Sequence, residues 1–150
     1  MTRQDDAHPP LRILVAEDDD ALRGLIVAAL CAAGHTVIEA TNGTECVGLA
    51  QPWRFRGTAI EPPELIVSDV RMPGWSGLEA LHILRAGAVD IPVILITAFG
   101  SPALHDRAAA HGAAYVLDKP FDLRELLAVV EELALVCRAV RAADASDTGS

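Results

Sequence analysis

Five side chains that could do chemistry follow short aliphatic runs at four separate points of the chain: Glu17 and Asp18, Asp69, Thr97 and Lys119. If these points converge, the carboxylates repel one another unless a cation neutralises them, and oxygen ligands suit Mg²⁺ or Mn²⁺. A lysine and a hydroxyl at the same place are groups that hold a phosphoryl group. The set therefore favours phosphoryl transfer, in which catalysis consists largely of positioning and charge stabilisation.

The aliphatic runs themselves predict the elements that must bring these side chains together. Each run is short and mostly β-branched or aliphatic, which is typical of a strand buried on both faces. The predicted strands are residues 11–16, 36–40, 64–68, 93–97 and 114–117. Segments of helical periodicity alternate with them, at residues 20–33, 44–50, 77–86, about 102–111 and about 123–136.

Two of these helices carry clear apolar stripes. The first predicts a buried face of Leu22, Leu25, Ile26, Ala29, Leu30 and Ala33, and the last a buried face of Leu123, Leu126, Leu127, Val130, Leu133 and Val136. Five alternating pairs predict a (βα)5 fold of the α/β class, a doubly wound five-stranded parallel sheet. In such sheets ligands sit beyond the carboxyl ends of the strands, which is where the reactive side chains fall.

Four stretches carry a resemblance to a known family: ILVAEDD, SDVRMPGWSG, ITA and DKPF. In this order, and each at a strand end, they resemble the receiver domain of the response regulators of bacterial two-component signalling, over residues 11–138. The resemblance implies a flavodoxin-like sheet of strand order 2-1-3-4-5. We expect residues 1–10 and 139–150 to be disordered tails, because they are small, polar or charged.

The resemblance also implies a role for each acidic residue. Asp69 is the phosphoacceptor, which takes a phosphoryl group from a histidine kinase or a histidine phosphotransfer protein. The cofactor is Mg²⁺, or Mn²⁺ in its place, bound directly by Asp18 and Asp69, by the backbone carbonyl of Arg71, and by Glu17 through water. Asp19 and Asp20 have the simpler interpretation of loop and N-cap residues at the first helix.

Lys119 and Thr97 complete this catalytic set by resemblance. Lys119 contacts Asp69 and then a phosphoryl oxygen, while the Thr97 hydroxyl turns inward to meet another. The Lys119–Pro120 peptide bond is expected to be cis, as at the matching position of the family.

The chain departs from the family pattern at the conformational switch. Receivers commonly carry Tyr or Phe three positions before the lysine, coupled to the threonine. Here that position is Val116, and the aromatic residue is Tyr115. Because one step along a strand reverses the facing of the side chain, Tyr115 should not substitute simply, and we expect Thr97 and its loop to couple to output differently.

Two large side chains stand where the family modulates dephosphorylation. Arg71 and Phe99 lie two positions beyond Asp69 and Thr97, respectively, and in receivers these positions flank the path of the attacking water. We expect Phe99 to slow the loss of the phosphoryl group.

The segment 51–63 is longer than the connections usual between a helix and a strand. It carries Trp53 and Phe55 interleaved with Arg54 and Arg56. One interpretation is a surface flap whose aromatic rings cover the second helix. The other is a docking patch for a partner, because aromatic and arginine side chains are common anchors of interfaces.

Composition narrows the class of protein. The chain has 150 residues, a prior for one domain, and a net charge of −9, which disfavours direct binding of nucleic acid or anionic membrane. Its cysteines and histidines lack the spacing of a zinc site, and its N-terminus lacks the pattern of a signal peptide. We expect a cytoplasmic, stand-alone signalling switch that catalyses only its own phosphorylation and dephosphorylation.

Output is then expected through another protein, at the face made by the fourth helix, the fifth strand and the fifth helix, which is also the surface for a possible homodimer. Two alternatives stay open. A phosphatase of the haloacid dehalogenase kind would also use an aspartate, Mg²⁺ and a lysine, but its DxDGT signature is missing here. An inert binding module that is never phosphorylated is the other.

Overall fold

A computed structural model describes residues 10–148, so residues 1–9 of the predicted N-terminal tail and residues 149–150 lie outside the described residues. The strands are β1 (Arg12–Ala16), β2 (Thr36–Ala40), β3 (Leu65–Asp69), β4 (Val93–Thr97) and β5 (Tyr115–Asp118). The α-helices are α1 (Asp20–Ala32), α2 (Gly43–Leu49), α3 (Gly77–Ala86), α4 (Pro102–Ala110) and α5 (Leu123–Thr148). A short 3₁₀ helix (Pro52–Phe55) follows α2.

The strands form one parallel sheet in the order β2-β1-β3-β4-β5. The predicted α/β class, the doubly wound (βα)5 arrangement and the strand order are thus confirmed. Ala16 is in register with Ser68, Asp69 with Ile96, and Thr97 with Asp118. Because of this register, the residues that follow β1, β3, β4 and β5 leave the sheet at the same edge.

Each face of the sheet has its own apolar core, because side chains alternate along a strand. In β1, Leu14 and Ala16 pack into the core beneath α2 and α3, whereas Ile13 and Val15 pack into the core beneath α1 and α5. Burial of an aliphatic side chain of this size contributes about 1.5–3 kcal/mol before entropy is counted. The two cores hold the carboxyl edge of the sheet rigid.

Several helices at this edge begin with side-chain caps, including α2, which Asn42 caps. Asp19 caps α1 by accepting from the backbone N–H groups of Ala21 and Leu22, so its predicted capping role is confirmed. Ser76 forms a capping box with Glu79 at the start of α3. Ser101 caps α4, in which Pro102 occupies the first turn. These caps define the positions at which the functional loops end.

The end of the chain differs from the predicted disordered tail at 139–150, because α5 continues to Thr148. The physical reason is local: residues 139–148 are rich in alanine and contain neither glycine nor proline that would end a helix.

Three residues of the predicted apolar stripes, Leu25, Ala33 and Val136, are exposed rather than buried. Leu25 of α1 is 58% exposed and Val136 of α5 is 57% exposed. Helical periodicity predicts which residues share a face, but the width of the covered strip depends on the neighbours that pack there.

Within residues 10–148, no helix is both long enough and apolar enough to cross a membrane.

Candidate functional site

Three carboxylates meet at the carboxyl edge of the sheet. Glu17 and Asp18 follow β1, and Asp69 ends the neighbouring β3. One carboxylate oxygen from each of the three lies within 4.8 Å of the others. Glu17 is 2% exposed and Asp69 6% exposed, whereas Asp18 faces solvent. The three acids that sequence reasoning assigned to one site are therefore brought together, with two of them buried.

Lys119 is the cation of this site. Its Nζ lies 3.5 Å from Asp69 Oδ2 and 3.7 Å from Glu17 Oε1. Lys119 thus pairs with two of the three clustered carboxylates, so negative charge is in excess within this cluster. Burial, above all, and the charge of Asp69 together raise the pKa of the Glu17 carboxyl to about 7. The Asp19 N–H, which donates to Glu17 Oε2 at 3.1 Å, and the charge of Lys119 act in the opposite direction.

The donor set fits a hard divalent cation. Glu17 Oε1 is buried and accepts no hydrogen bond among the described residues; the Lys119 ammonium approaches it only to 3.7 Å, which leaves room for a further cation or water. An open cavity of about 560 Å³ lies alongside, lined by Asp18, Arg71 and the loop that follows β3. Clustered carboxylate oxygens beside an open cavity are the ligands that Mg²⁺ and Mn²⁺ prefer.

Thr97 and Lys119 are joined through their backbones. The Lys119 N–H donates to the Thr97 carbonyl oxygen at 2.7 Å, and the Lys119–Pro120 peptide bond is cis. The Thr97 side chain is buried, and its Oγ1 accepts from the Phe99 N–H at 3.1 Å. The hydroxyl is thus held by the loop between β4 and α4 while it stands at the same edge as Asp69.

Arg71 and Phe99 make a contact that sequence reasoning did not predict. The Arg71 guanidinium carbon lies 4.3 Å from the centroid of the exposed Phe99 ring, within the range of a cation–π interaction. The spacing of the two residues could have suggested this contact, because they lie equally far beyond β3 and β4, which are adjacent strands.

The fifth strand places the two candidate switch residues on opposite faces. Val116 packs against the core on the α3 side, whereas Tyr115 is 43% exposed and in register with Ile94. A contact that sequence reasoning missed lies nearby: His105 Nε2 of α4 is 3.1 Å from Asp118 Oδ1 at the end of β5. The pair links α4 to the residue that precedes Lys119.

A glycine positions the backbone of Asp69. The Gly77 N–H donates to the Val70 carbonyl at 2.8 Å, which brings the first turn of α3 against the end of β3. A Cβ at Gly77 would overlap the carbonyl oxygen of Asp69 and approach Leu95 Cδ2 to 3.1 Å. The close approach of helix and strand therefore requires the absence of a side chain at this position.

Comparison with known proteins adds independent findings. A family model described as "Response regulator receiver domain" matches residues 13–131. The transcriptional regulatory protein PdtaR of Mycobacterium tuberculosis is 32% identical over 131 residues, which cover 87% of this chain and 60% of that protein. Response regulator MprA of Mycolicibacterium vanbaalenii is 36% identical over 124 residues, which cover 83% and 50%, respectively. The chain thus spans about half to three fifths of these relatives.

Solved structures have the same fold. The chemotaxis protein CheY4 of Vibrio cholerae superimposes with a TM-score of 0.69 at 26% identity, over 82% of this chain and 98% of that one.

Proposed function

The chain belongs to the response regulator receiver domain family, and from that premise we propose that Asp69 accepts a phosphoryl group from a phosphohistidine. Receiver domains are signalling switches rather than classical enzymes. The observation that best supports this role for Asp69 is its burial against Glu17 and Lys119, next to an open cavity that Asp18, Val70 and Arg71 line.

In the proposed reaction an Asp69 carboxylate oxygen attacks the phosphorus. The P–N bond to the donor imidazole breaks, and its electron pair stays on the nitrogen, while a P–O bond forms an acyl phosphate. The donor is a histidine kinase or a histidine phosphotransfer protein. Lys119 is already 3.5 Å from Asp69 and remains beside the phosphoryl oxygens, where its charge stabilises the transferred group.

The residues that would hold the metal are Asp18 and Asp69 through their carboxylates, Arg71 through its backbone carbonyl and Glu17 through water. Mg²⁺, or Mn²⁺ in its place, supplies positive charge that offsets the charge of the phosphoryl group. The Glu17 oxygen that accepts no hydrogen bond, with Lys119 no closer than 3.7 Å, supports the need for that charge.

Switching begins at Thr97. Its hydroxyl must leave the Phe99 N–H to reach a phosphoryl oxygen, and this rearranges the loop before α4. The change reaches the face formed by α4, β5 and α5, at which a downstream protein, or a second copy in a homodimer, binds. With Tyr115 exposed and Val116 in the core, the aromatic step usual in the family is replaced by a different coupling.

Arg71 and Phe99 set the lifetime of the phosphoryl group. Their cation–π contact bridges the loops after β3 and β4, across the approach to Asp69. A bridge at this position hinders entry of the attacking water. In this proposal the receiver domain acts in the cytoplasm on other proteins and does not itself contact nucleic acid or membrane.

Acetyl phosphate with Mg²⁺, followed by intact mass measurement, tests the proposal against its alternatives. We expect stable addition of one phosphoryl group to the wild type and to Asp20→Ala, an exposed acid at the same edge, but none to Asp69→Ala. Rapid turnover of acetyl phosphate without accumulation would instead indicate a phosphatase. No addition to the wild type, with or without a histidine phosphotransfer donor, would indicate an inert module.

A further inference from the structure

The segment between α2 and β3 folds into an ordered loop of its own. After the 3₁₀ helix (Pro52–Phe55), the Arg56 N–H donates to the Trp53 carbonyl at 3.2 Å. The Thr58 hydroxyl then donates to the Phe55 carbonyl at 2.7 Å, and the Ile60 N–H donates to Thr58 Oγ1 at 3.2 Å. A loop with such internal bonds presents its side chains in a defined arrangement, which lowers the entropy lost on binding.

Its large apolar side chains do not cover the body of the protein. Trp53 is 60% exposed and Ile60 is 61% exposed, and neither belongs to a core cluster of the described residues. Phe55 is only half-buried. The covering-flap interpretation therefore fails to account for Trp53, because a ring that served only to cover α2 would lose most of its exposure.

The charge of this loop is opposite to that of the molecule. Arg54 and Arg56 are exposed and make no ion pair among the described residues, and residues 51–63 contain one acid, Glu61. The chain as a whole carries −9. Two unpaired arginines beside an exposed tryptophan thus form a local cationic patch.

A groove of about 690 Å³ runs from Arg54 along α2 to the loop after β3. Its two acids already have partners: Glu39 Oε1 is bound by Arg23 Nε at 3.0 Å, and Glu45 Oε1 by the Thr41 N–H at 2.7 Å. Arg54 is the one cationic side chain that lines this groove. A hydrogen bond from a backbone N–H leaves Glu45 charged, so the uncompensated positive charge lies at the loop end of this groove, on Arg54 and the nearby Arg56.

We propose that Trp53, Arg54, Arg56 and Ile60, hereafter the 53–60 surface, dock an acidic segment of another protein that also carries apolar side chains. The apolar groups contact Trp53 and Ile60, and the carboxylates meet the two arginines. Tryptophan and arginine are the residues most often found at the energetic centre of an interface. None of its four residues lines the cavity beside the carboxylate cluster, so we expect its binding not to require phosphorylation.

A random peptide library displayed on phage tests the proposal with the full chain as bait. A triple variant, Trp53→Ala with Arg54→Ala and Arg56→Ala, serves for counter-selection. We expect the recovered peptides to be enriched in Asp and Glu interspersed with aromatic or aliphatic residues. A synthetic peptide of that consensus should bind at least about tenfold more weakly to the triple variant. Arg124→Ala, which removes an exposed arginine already paired with Asp122, should bind as the wild type does.

Several outcomes would overturn this inference. They are the absence of enrichment, a neutral or basic consensus, or peptides that bind the triple variant equally well. Sedimentation velocity measures the oligomeric state and tests whether the surface binds a second copy of this chain instead. A dimer of the wild type that the triple variant does not form would show that it does. Asp69→Ala should bind the consensus peptide normally, so failure of phosphorylation and failure of docking are distinguishable.

Discussion

Replacement of Gly77 by alanine should damage the site through its backbone, without removing any reactive group. Gly77 is the first residue of α3, and a Cβ there would overlap the Asp69 carbonyl oxygen and press on Leu95 Cδ2 at 3.1 Å. The carbonyl belongs to the strand that carries the phosphoacceptor. Relief of the overlap must therefore move the end of β3 away from the first turn of α3.

The expected cost comes from overpacking. Steric insertion of one carbon into a packed site typically costs about 1–3 kcal/mol, and the upper end applies here because the obstacle is backbone on one side. Gly24→Ala is the matched control. It makes the same substitution inside α1, where a Cβ meets nothing within 4 Å, so it should stabilise the protein by about 0.5–1 kcal/mol.

Urea denaturation followed by far-UV circular dichroism measures both changes in the free energy of unfolding. Phosphorylation by acetyl phosphate, measured under conditions in which both variants are folded, reports the displacement of Asp69. We expect Gly77→Ala to be destabilised and to react at least about tenfold more slowly, and Gly24→Ala to be stabilised and to react normally. If Gly77→Ala matched the wild type in stability and rate, the idea that helix contact positions Asp69 would be wrong.

Three further predictions concern Asp69, Cys46 and Phe99. Asp69→Asn should raise the free energy of unfolding in EDTA by about 1 kcal/mol, because the relief of carboxylate repulsion exceeds the lost attraction to Lys119. Mg²⁺ should stabilise this variant less than it stabilises the wild type. A variant that calorimetry finds less stable than the wild type in EDTA would contradict the prediction. Burial raises the pKa of Cys46 to about 12, so the folded state favours the neutral thiol and its contribution to stability is lost as pH rises from about 9 towards 12. Iodoacetamide at pH 8 should therefore modify exposed Cys31 in the native protein but Cys46 only after unfolding, as read by peptide mass. Phe99→Ala should lose its phosphoryl group several-fold faster in a time course of intact mass, and an unchanged lifetime would argue against the proposed bridge.

Most of the sheet could be predicted from the sequence because buried parallel strands leave a strong local signal. The observed bounds of β2 and β4 match the prediction, β1 begins one residue later, and β3 and β5 are each shifted by one residue towards the C-terminus. The prediction differs from the structure at the C-terminal end of the chain, although the signal there is local. The tail beyond residue 138 is helical because alanine-rich sequence continues the helix.

The types of the residues and their order along the chain determined which residues belong to the site. Carboxylates, threonine and lysine after successive aliphatic runs are enough to place Glu17, Asp69 and Lys119 at one edge of a parallel sheet. Spacing also identified Asp19 as a cap, because a cap is a local feature whose partners lie within one turn.

Tertiary structure alone decided the distances and burial on which the chemistry depends. These features depend on elements that lie far apart in the chain. They are the three carboxylates within 4.8 Å, the Glu17 oxygen that accepts no hydrogen bond, the Arg71–Phe99 contact and the exposure of Trp53. Periodicity specifies which face a side chain lies on. Strand register and helix packing, which no local pattern encodes, specify what that face meets.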